Sequence, residues 1–284
     1  MTLYVDPSNA ETAKSWDGPT GDLWTDNADI YDARVVRYLA PFLAEAAITP
    51  HAHVLDVGCG SGETTIQAAR IAAAGSVTGI DLSTRQLDLA RRRAEKEGLA
   101  NVRFEQADAQ VADLGAARYD RVISRTGVMF FGDPVAAFTN LARALKPEGR
   151  MVLLVWQPTG ENEWFGAFRT AVAAGRDLPL PPADAPGPFS LADPDRLRAV
   201  LTAAGFAEPR LTGLWEPLFY GPDAATAVEM ALGVVGSLLD DLDETARQGA
   251  VAALRATMEE HLGPGGVTFR SAMWLVTAGL PDAR

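Results

Sequence analysis

Three glycines at alternate positions are the residues of this 284-residue chain whose type and spacing most directly indicate chemistry. They are Gly58, Gly60 and Gly62, which follow the apolar run 54–57 and precede Glu63-Thr64-Thr65. Glycine permits a positive φ and lets a ligand approach the backbone, and the free amides at the start of a following helix favour an anionic group. The sequence therefore predicts a strand, a turn and a helix start that bind a nucleotide-like cofactor.

The glycine spacing argues against two common alternatives. A dinucleotide fingerprint, G-x-G-x-x-G/A, needs a small residue where this chain has Glu63, so NAD and FAD fit poorly. A Walker A loop needs a lysine after its last glycine, and none lies near this turn, so nucleoside triphosphate hydrolysis is not supported. A tight turn without a ligand remains the alternative explanation of the segment.

Two acidic residues end the next two predicted strands. Asp81 ends the run 76–82, 19 residues after Gly62, which suits one βαβ crossover and predicts a ligand for ribose hydroxyls. The alternative is a helix N-cap, a role that Ser83 fills better. Asp108 ends the run 102–108 and is expected to accept a hydrogen bond from an adenine amino group, unless it is a solvated loop residue.

These segments together resemble a class I S-adenosylmethionine-dependent methyltransferase of the ubiquinone/menaquinone-biosynthesis-like (methyltransferase type 11) branch. The resemblance is carried by VLDVGCGSG at 54–62, GIDLS at 79–83, the corner 107–109, YDRVIS at 119–124 and LKPEGR at 145–150. Together they cover residues 50 to 158 in the order and spacing of that family. The resemblance implies S-adenosylmethionine as cofactor and S-adenosylhomocysteine as product.

The resemblance also assigns residues to parts of the cofactor. The glycine turn is expected against the methionine part, Asp81 on the ribose, Asp108 on the adenine and Ser124 near the methionyl group. Gln86 departs from the family, whose members often have an apolar residue over the adenine region. The expected cofactor-binding residues are Asp56, Gly58, Cys59, Gly60, Gly62, Asp81, Leu82, Gln86, Ala107, Asp108, Ala109 and Ser124.

The remaining pattern predicts an α/β fold, with a doubly wound, mostly parallel seven-stranded sheet of the Rossmann-like methyltransferase type. Helices are predicted at 62–74, 83–98, 134–146, 194–204 and 223–262, and later strands at 150–156, 208–219 and 267–278. Residues 1 to 25 read as a polar loop, followed by a helical stripe that Pro41 should kink. The predicted segments are an N-terminal helical flap (1–48), the cofactor-binding core (49–158), a Pro-rich loop with a helix and the sixth strand (159–222), a helical cap insertion (223–266) and the last strand with the tail (267–284).

The methyl acceptor should bind beside the carboxyl ends of the strands, because ligands of open α/β sheets bind there. By the resemblance the last strand is antiparallel, which puts the insertion 223–262 over the site. Many aromatic residues fall in these positions and favour a flat or apolar acceptor, although core packing can explain any one of them. The predicted pocket residues are Arg125, Met129, Phe130, Trp156, Trp164, Trp24, Tyr31 and Tyr220.

Methyl transfer from a sulfonium is an in-line displacement that mainly requires alignment and exclusion of water, so a base is optional. Of the three histidines, His51 and His53 precede the first strand, at the sheet edge opposite the ligand. His261 is the candidate base, with a solvated helix end as its alternative. No His-Glu-x-x-His or similar spacing occurs, so the sequence predicts no metal.

Composition excludes several classes of partner. The formal charge of −12 and pI near 4.7 disfavour nucleic acid and anionic lipid. The single cysteine, Cys59, excludes an internal disulfide, and no leader or long apolar run is evident, so a cytoplasmic protein is expected. We expect a monomer or homodimer that methylates a small aromatic or apolar molecule. The alternatives are a decarboxylation or cyclisation on the same scaffold, or a non-catalytic cofactor-binding protein.

Overall fold

A single twisted sheet forms the centre of the computed structural model, which describes residues 3–281. The strand order is β3-β2-β1-β4-β5-β8-β6, with β7 paired to β8. Neighbours from β3 to β5 are parallel, whereas β8 is antiparallel to β5, β6 and β7. The predicted fold class is confirmed, with β7 as an eighth strand of two residues. The strands are β1 (His53–Val57), β2 (Ser76–Asp81), β3 (Val102–Gln106), β4 (Tyr119–Arg125), β5 (Leu145–Trp156), β6 (Arg210–Gly221), β7 (Leu262–Gly263) and β8 (Gly266–Gly279).

Helices connect the strands and cover the sheet. Those predicted at 62–74, 83–98, 134–146 and 194–204 begin within one residue of their predicted starts and end within three of their predicted ends. Ser83, Asp133 and Asp193 cap three of them through side-chain oxygens that accept backbone N–H bonds. The helices are α1 (Ala10–Trp16), α2 (Pro19–Asp26), α3 (Ala28–Arg34), α4 (Val36–Ala46), α5 (Glu63–Ile71), α6 (Thr84–Lys96), α7 (Pro134–Ala144), α8 (Glu163–Val172), α9 (Pro194–Ala203), α10 (Ala224–Val235) and α11 (Glu244–Glu260).

The N-terminal segment differs from the sequence prediction. Residues 10–26 form α1 and α2 instead of a loop, and α4 continues through Pro41. The two short helices carry little apolar periodicity, and their positions depend on tertiary contacts. The Arg85 guanidinium binds the carboxylates of Asp22 and Asp26 at 2.9 and 2.6 Å. Helix α2 also packs on α6, and α1 packs on α2. Tertiary packing stabilises helices that are too short to form alone, and local sequence patterns do not reveal it.

Two further differences lie after β5. The helix α8 occupies part of a segment for which only one helix, 194–204, was predicted. The predicted helical stretch 223–262 is divided by a 3₁₀ turn at Gly236–Leu239, after which the Asp243 side chain accepts a hydrogen bond from Ala246 N and begins α11. In the part of the chain that the structure describes, no helix is long and apolar enough to cross a membrane.

The core makes the strand ends rigid. Met151 to Val155 in the middle of β5 are fully buried, and Tyr38 and Phe42 of α4 lie in the same apolar cluster. Each such large side chain contributes roughly 1.5–3 kcal/mol relative to exposure. A smaller cluster around Leu87 and Phe104 packs α5 and α6 against β3. Residues that follow the strands are therefore held in fixed positions relative to one another.

Candidate cofactor and acceptor site

The glycine turn after β1 is held against β2 and the loop that follows β4. The amides of Gly58 and Cys59 donate to Ile80 O at 2.9 and 3.0 Å. A Cβ on Gly58 would lie 2.7 Å from Gly127 Cα, so a side chain there would displace that loop. Gly58 and Gly60 line a large cavity beside the turn, whereas Gly62 does not. A Cβ on Gly62 would meet Ala90 Cβ at 2.8 Å, so this glycine lets α5 pack closely on α6.

The cavity lies at the carboxyl ends of β1 to β5 and has about 1410 Å³ of empty space, including its open mouth. We call the part lined by the glycine turn and the residues that end β1 to β4 the polar half. The aromatic half is lined by Trp16, Trp24, Tyr31, Met129, Phe130, Phe131, Trp156 and Trp164.

Asp81 braces the glycine turn from the end of β2. Its Oδ2 accepts from Gly60 N at 2.8 Å and its Oδ1 from Ser83 N at 2.9 Å. Burial raises the pKa of the Asp81 carboxyl, and these backbone hydrogen bonds partly oppose the rise. Ser83 caps α6 through its own side chain, so Asp81 is free of that role. Leu82 and Gln86 line the cavity beside it.

Asp108 binds the N-terminal segment. Its Oδ2 accepts from Asp6 N, and its Oδ1 accepts from Asn9 Nδ2 and from Gln110 N, each at 3.0 Å. Because a carboxylate only accepts, the Asn9 amide must direct its NH₂ to Asp108 and its oxygen elsewhere. That oxygen, Oδ1, is buried without a hydrogen-bond partner among the described residues. Asn9, Ala107, Asp108 and Ala109 all line the cavity.

An acid and a cation meet beside the glycine turn, each with one unsatisfied atom. Asp56 Oδ2 accepts from Thr65 Oγ1 at 2.6 Å, while Oδ1 is buried without a partner in residues 3–281. Burial raises the pKa of Asp56 to about 7, opposed by the Thr65 hydrogen bond and the charge of Arg125. Arg125 donates through Nε to Thr64 Oγ1 at 2.9 Å, and its buried Nη1 likewise has no partner within that range.

The rings of the aromatic half form two groups of contacting side chains. Trp24 stacks on Tyr31 with ring centroids 3.7 Å apart, and Trp16 contacts both Trp24 and Phe130 edge to face at 5.5 and 5.2 Å. On the side formed by β5 and α8, Trp156 and Trp164 lie 5.4 Å apart. Helices α1 to α3 thus supply much of a wall that the sequence pattern assigned mainly to residues after the strands.

Most of the predicted site residues line the cavity. In the cofactor set only Gly62 and Ser124 do not, and in the acceptor set only Tyr220 does not. Ser124 is fully buried and donates to Val57 O at 2.7 Å, so it joins β4 to β1 beneath the site. Tyr220 is buried behind Arg34, which donates a hydrogen bond to its hydroxyl.

His261, the candidate base, does not line the cavity. It ends α11, where its Nδ1 lies 2.8 Å from Thr257 O and its ring stacks on Phe269 at 4.1 Å. Because α11 packs on α8, His261 lies near the start of α8, where its Nε2 is 3.7 Å from Glu163 Oε1. Of the insertion predicted to cover the site, Val234 lines the cavity. His51 and His53 are exposed at the start of β1, as expected.

Sequence reasoning missed several lining residues from the N-terminal helices, namely Asn9, Thr12, Ala28, Asp32, Arg34 and Val35. For Arg34 a signal was available, because its i, i+3 spacing from the predicted pocket residue Tyr31 puts both side chains on one helix face. Asp32 binds Arg93 and Arg125 at 2.8 and 3.2 Å and so ties α3 to α6 and β4. Among residues 3–281, no group of His, Cys, Asp and Glu is arranged to hold a metal.

Comparisons with known proteins identify the family of this chain. A family model described as a methyltransferase domain matches residues 48–162. The nocamycin O-methyltransferase of Saccharothrix syringae is 30% identical over 272 residues, which cover 90% of this chain and 96% of that protein. A Mycobacterium tuberculosis protein is 35% identical over 153 residues, and this match spans about half of each chain, 51% and 53%.

A solved structure with the same fold binds the expected cofactor. The phosphoethanolamine N-methyltransferase 2 of Haemonchus contortus, in complex with S-adenosylmethionine, superposes with a TM-score of 0.59 at 16% identity and covers 98% of this chain and 61% of that one. The fold, the glycine turn with its acids and the near full-length relative together define the class. This chain belongs to the class I S-adenosylmethionine-dependent methyltransferases, and S-adenosylmethionine is its cofactor.

Proposed function

We propose that this enzyme transfers the methyl group of S-adenosylmethionine to a small molecule with an aromatic or apolar body. The observation that carries the proposal is the aromatic half of the cavity, which adjoins the polar half and is walled by stacked tryptophan and tyrosine rings. Such rings bury a large apolar area and favour flat ligands. The name of the near full-length relative, an O-methyltransferase, supports oxygen as the methylated atom.

The unsatisfied polar atoms of the polar half match the groups of the cofactor. We assign Asp56 Oδ1 to the ammonium of the methionyl part and Arg125 Nη1 to its carboxylate, because each buried atom otherwise lacks a partner of opposite charge. This moves Arg125 from the acceptor to the cofactor. Asp81, already bound to Gly60 N, would hold the ribose hydroxyls. These contacts would hold the cofactor at its methionyl part and at its ribose.

The adenine end is assigned to Asn9 in place of Asp108. Asp108 Oδ1 already accepts two hydrogen bonds, one of them from Asn9, and this orients the Asn9 amide with Oδ1 free. An adenine amino group is a donor that would satisfy that oxygen. Asp108 then acts as a positioning residue, which fastens the N-terminal segment over the adenine end of the cofactor.

The cofactor supplies an electrophilic methyl carbon on a sulfonium, so the chain's own residues need to align and desolvate the acceptor. The aromatic half excludes water and restricts the approach of the acceptor to the donor, which provides the entropic part of catalysis. No histidine lines the cavity formed by residues 3–281, and we assign no base. An acceptor that enters already ionised needs none.

The acidic composition supports a metabolite as partner. With a net charge of −12, a nucleic-acid acceptor would be repelled, and a cytoplasmic monomer or homodimer that acts on a small molecule fits this charge.

Two measurements test the proposal. Calorimetry should show binding of S-adenosylhomocysteine by the wild type, and no binding would sink the assignment. Incubation with methyl-¹³C-labelled S-adenosylmethionine and a library of phenols, enols and aromatic acids should then release S-adenosylhomocysteine and add one labelled methyl group to a product. A product changed without label, by loss of CO₂ or by ring closure, would favour the scaffold's other chemistries.

A further inference from the structure

Arg34 is a buried cation for which the described chain provides no anion. It ends α3, is 6% exposed and lines the cavity next to Tyr31 and Trp164. Its Nη2 donates to the Tyr220 hydroxyl, and its Nε is buried without a partner. No carboxylate of residues 3–281 lies within 4.0 Å of its guanidinium, in contrast to Arg93 and Arg125, which share Asp32.

The neutral surroundings of Arg34 do not replace a counterion. Burial raises the pKa of the Tyr220 phenol, so this partner stays protonated and uncharged. The guanidinium carbon lies 4.2 Å from the Tyr220 ring centroid and 5.4 Å from that of Trp164, distances at which cation–π attraction helps. Such attraction is weak beside the cost of burying an ion, which proteins normally offset with an opposite charge.

A second unsatisfied donor lies one helical turn away. The Tyr31 hydroxyl is buried without a hydrogen-bond partner among the described residues. Tyr31 and Arg34 are at positions i and i+3 and so lie on the same face of α3. Burial raises the pKa of Tyr31, which keeps the hydroxyl a donor. Tyr31 and Arg34 both line the cavity, in the half whose walls are aromatic.

We infer that the acceptor is an aromatic carboxylate, whose carboxylate group accepts hydrogen bonds from Arg34 Nε and from the Tyr31 hydroxyl, the two donors left without partners. A guanidinium presents parallel N–H groups that match a two-oxygen anion, and a dry site strengthens the pairing. The ring system of the acceptor would lie against Trp164 and the stacked pair Trp24 and Tyr31. This inference rests on the proposed function and narrows its acceptor to an anionic class.

Calorimetry with 2-naphthoate and its neutral isostere 2-naphthamide, each titrated into protein saturated with S-adenosylhomocysteine, tests the inference. The wild type should bind the carboxylate at least about tenfold more tightly, the range expected for a buried charge-assisted pair. Arg34→Met keeps the apolar stem and should abolish the preference, and Tyr31→Phe should reduce it a few-fold. Arg169→Met is the matched control, because Arg169 also lies over an aromatic ring, Phe165, yet does not line the cavity.

Three results would overturn the inference. One is equal binding, or no binding, of the two naphthyl compounds by the wild type, and another is a preference that survives Arg34→Met. The third is a tenfold loss of S-adenosylhomocysteine affinity in Arg34→Met, which would put the cofactor's own carboxylate on Arg34. Tyr31→Phe keeps the cation and tests the pair if Arg34→Met fails to fold. Wild-type protein that does not bind S-adenosylhomocysteine at all would instead refute the proposed function.

Discussion

The polar and aromatic halves of the cavity are built in different ways. In the polar half, Asp56, Asp81 and Asp108 lie at or just after the carboxyl ends of three successive strands of one parallel sheet, so their order in the chain fixes their order in space. In the aromatic half, Trp16, Trp24 and Tyr31 come from helices before the sheet. They line the same cavity as Trp156, which ends the fifth strand, and Trp164, which lies beyond it. The first half is a local consequence of the βα repeat, and the second is a tertiary one.

This difference separates the residues that bind the cofactor from the residues that recognise the methyl acceptor. A donor that is the same for every enzyme of the class can be held by residues at strand ends, which the sheet positions rigidly. An acceptor that differs between enzymes is recognised by side chains on surrounding helices and loops, which can vary without disturbing the sheet. Arg34 and Tyr31 belong to that second group, as part of α3.

The largest effect is expected from Asp81→Ala. Loss of the two charge-assisted hydrogen bonds that we propose between Asp81 and the ribose, each about 1.5–3 kcal/mol, should weaken S-adenosylhomocysteine binding by at least about 100-fold in calorimetry. Asp88→Ala is the matched control, because Asp88 is exposed on α6 and pairs only with Arg91 in the described chain. Unchanged affinity in Asp81→Ala would mean that the polar half does not hold the donor as proposed.

Gly62→Ala tests whether this glycine serves packing. Its φ of +89° and the 2.8 Å approach to Ala90 predict a loss of unfolding free energy of roughly 2–5 kcal/mol, from backbone strain plus overpacking. Gly205→Ala provides the comparison, with a φ of +94° and open space around the added Cβ, so only the strain should remain. Denaturant unfolding measures both, and equal losses would argue against the packing role.

The pH dependence of cofactor binding tests Asp56. Only the ionised carboxyl attracts an ammonium, so with a pKa of about 7 the affinity for S-adenosylhomocysteine should rise about tenfold from about pH 5.5 to about pH 7 and then level off. The ligand's amino group stays charged over that range, because the adjacent free carboxylate makes it more basic than a peptide N-terminus, whose pKa is about 7.7–8.0. Asp56→Asn should flatten the profile, and a slope that persists would assign it to another group such as Asp81.

A smaller effect is expected from Asn9→Ala. Removing one neutral hydrogen bond to adenine should weaken S-adenosylhomocysteine binding by about two- to tenfold, from a net value of about 0.5–1.5 kcal/mol. S-inosylhomocysteine, which has a carbonyl in place of the amino group, separates this contact from a general loosening of the N-terminal segment. The wild type should prefer the adenosyl compound, and Asn9→Ala should lose that preference. An equal loss of affinity for both compounds would refute the contact.

The smallest effect is expected from His261→Ala. Loss of the Phe269 stacking and the contact with Glu163 should lower the unfolding free energy by about 1 kcal/mol, within the range for partly exposed pairs. Cofactor affinity, and the rate for any acceptor that the wild type methylates, should stay within twofold. A hundredfold slower transfer with unchanged folding would restore the histidine as a base and blur the contrast between the two halves.

The sequence by itself determined the strands, the crossover helices and the polar half, because glycine spacing and strand-end acids are local features that a parallel sheet converts directly into position. It also indicated an aromatic acceptor region. Only the tertiary structure decided that Gly62 packs helices, that Asp108 orients Asn9, and that α1 and α2 exist. It also decided that His261 lies away from the cavity, while Arg34 lines it with no carboxylate of residues 3–281 beside its guanidinium. Those outcomes depend on contacts between residues far apart in the chain, and no spacing within a single element encodes them.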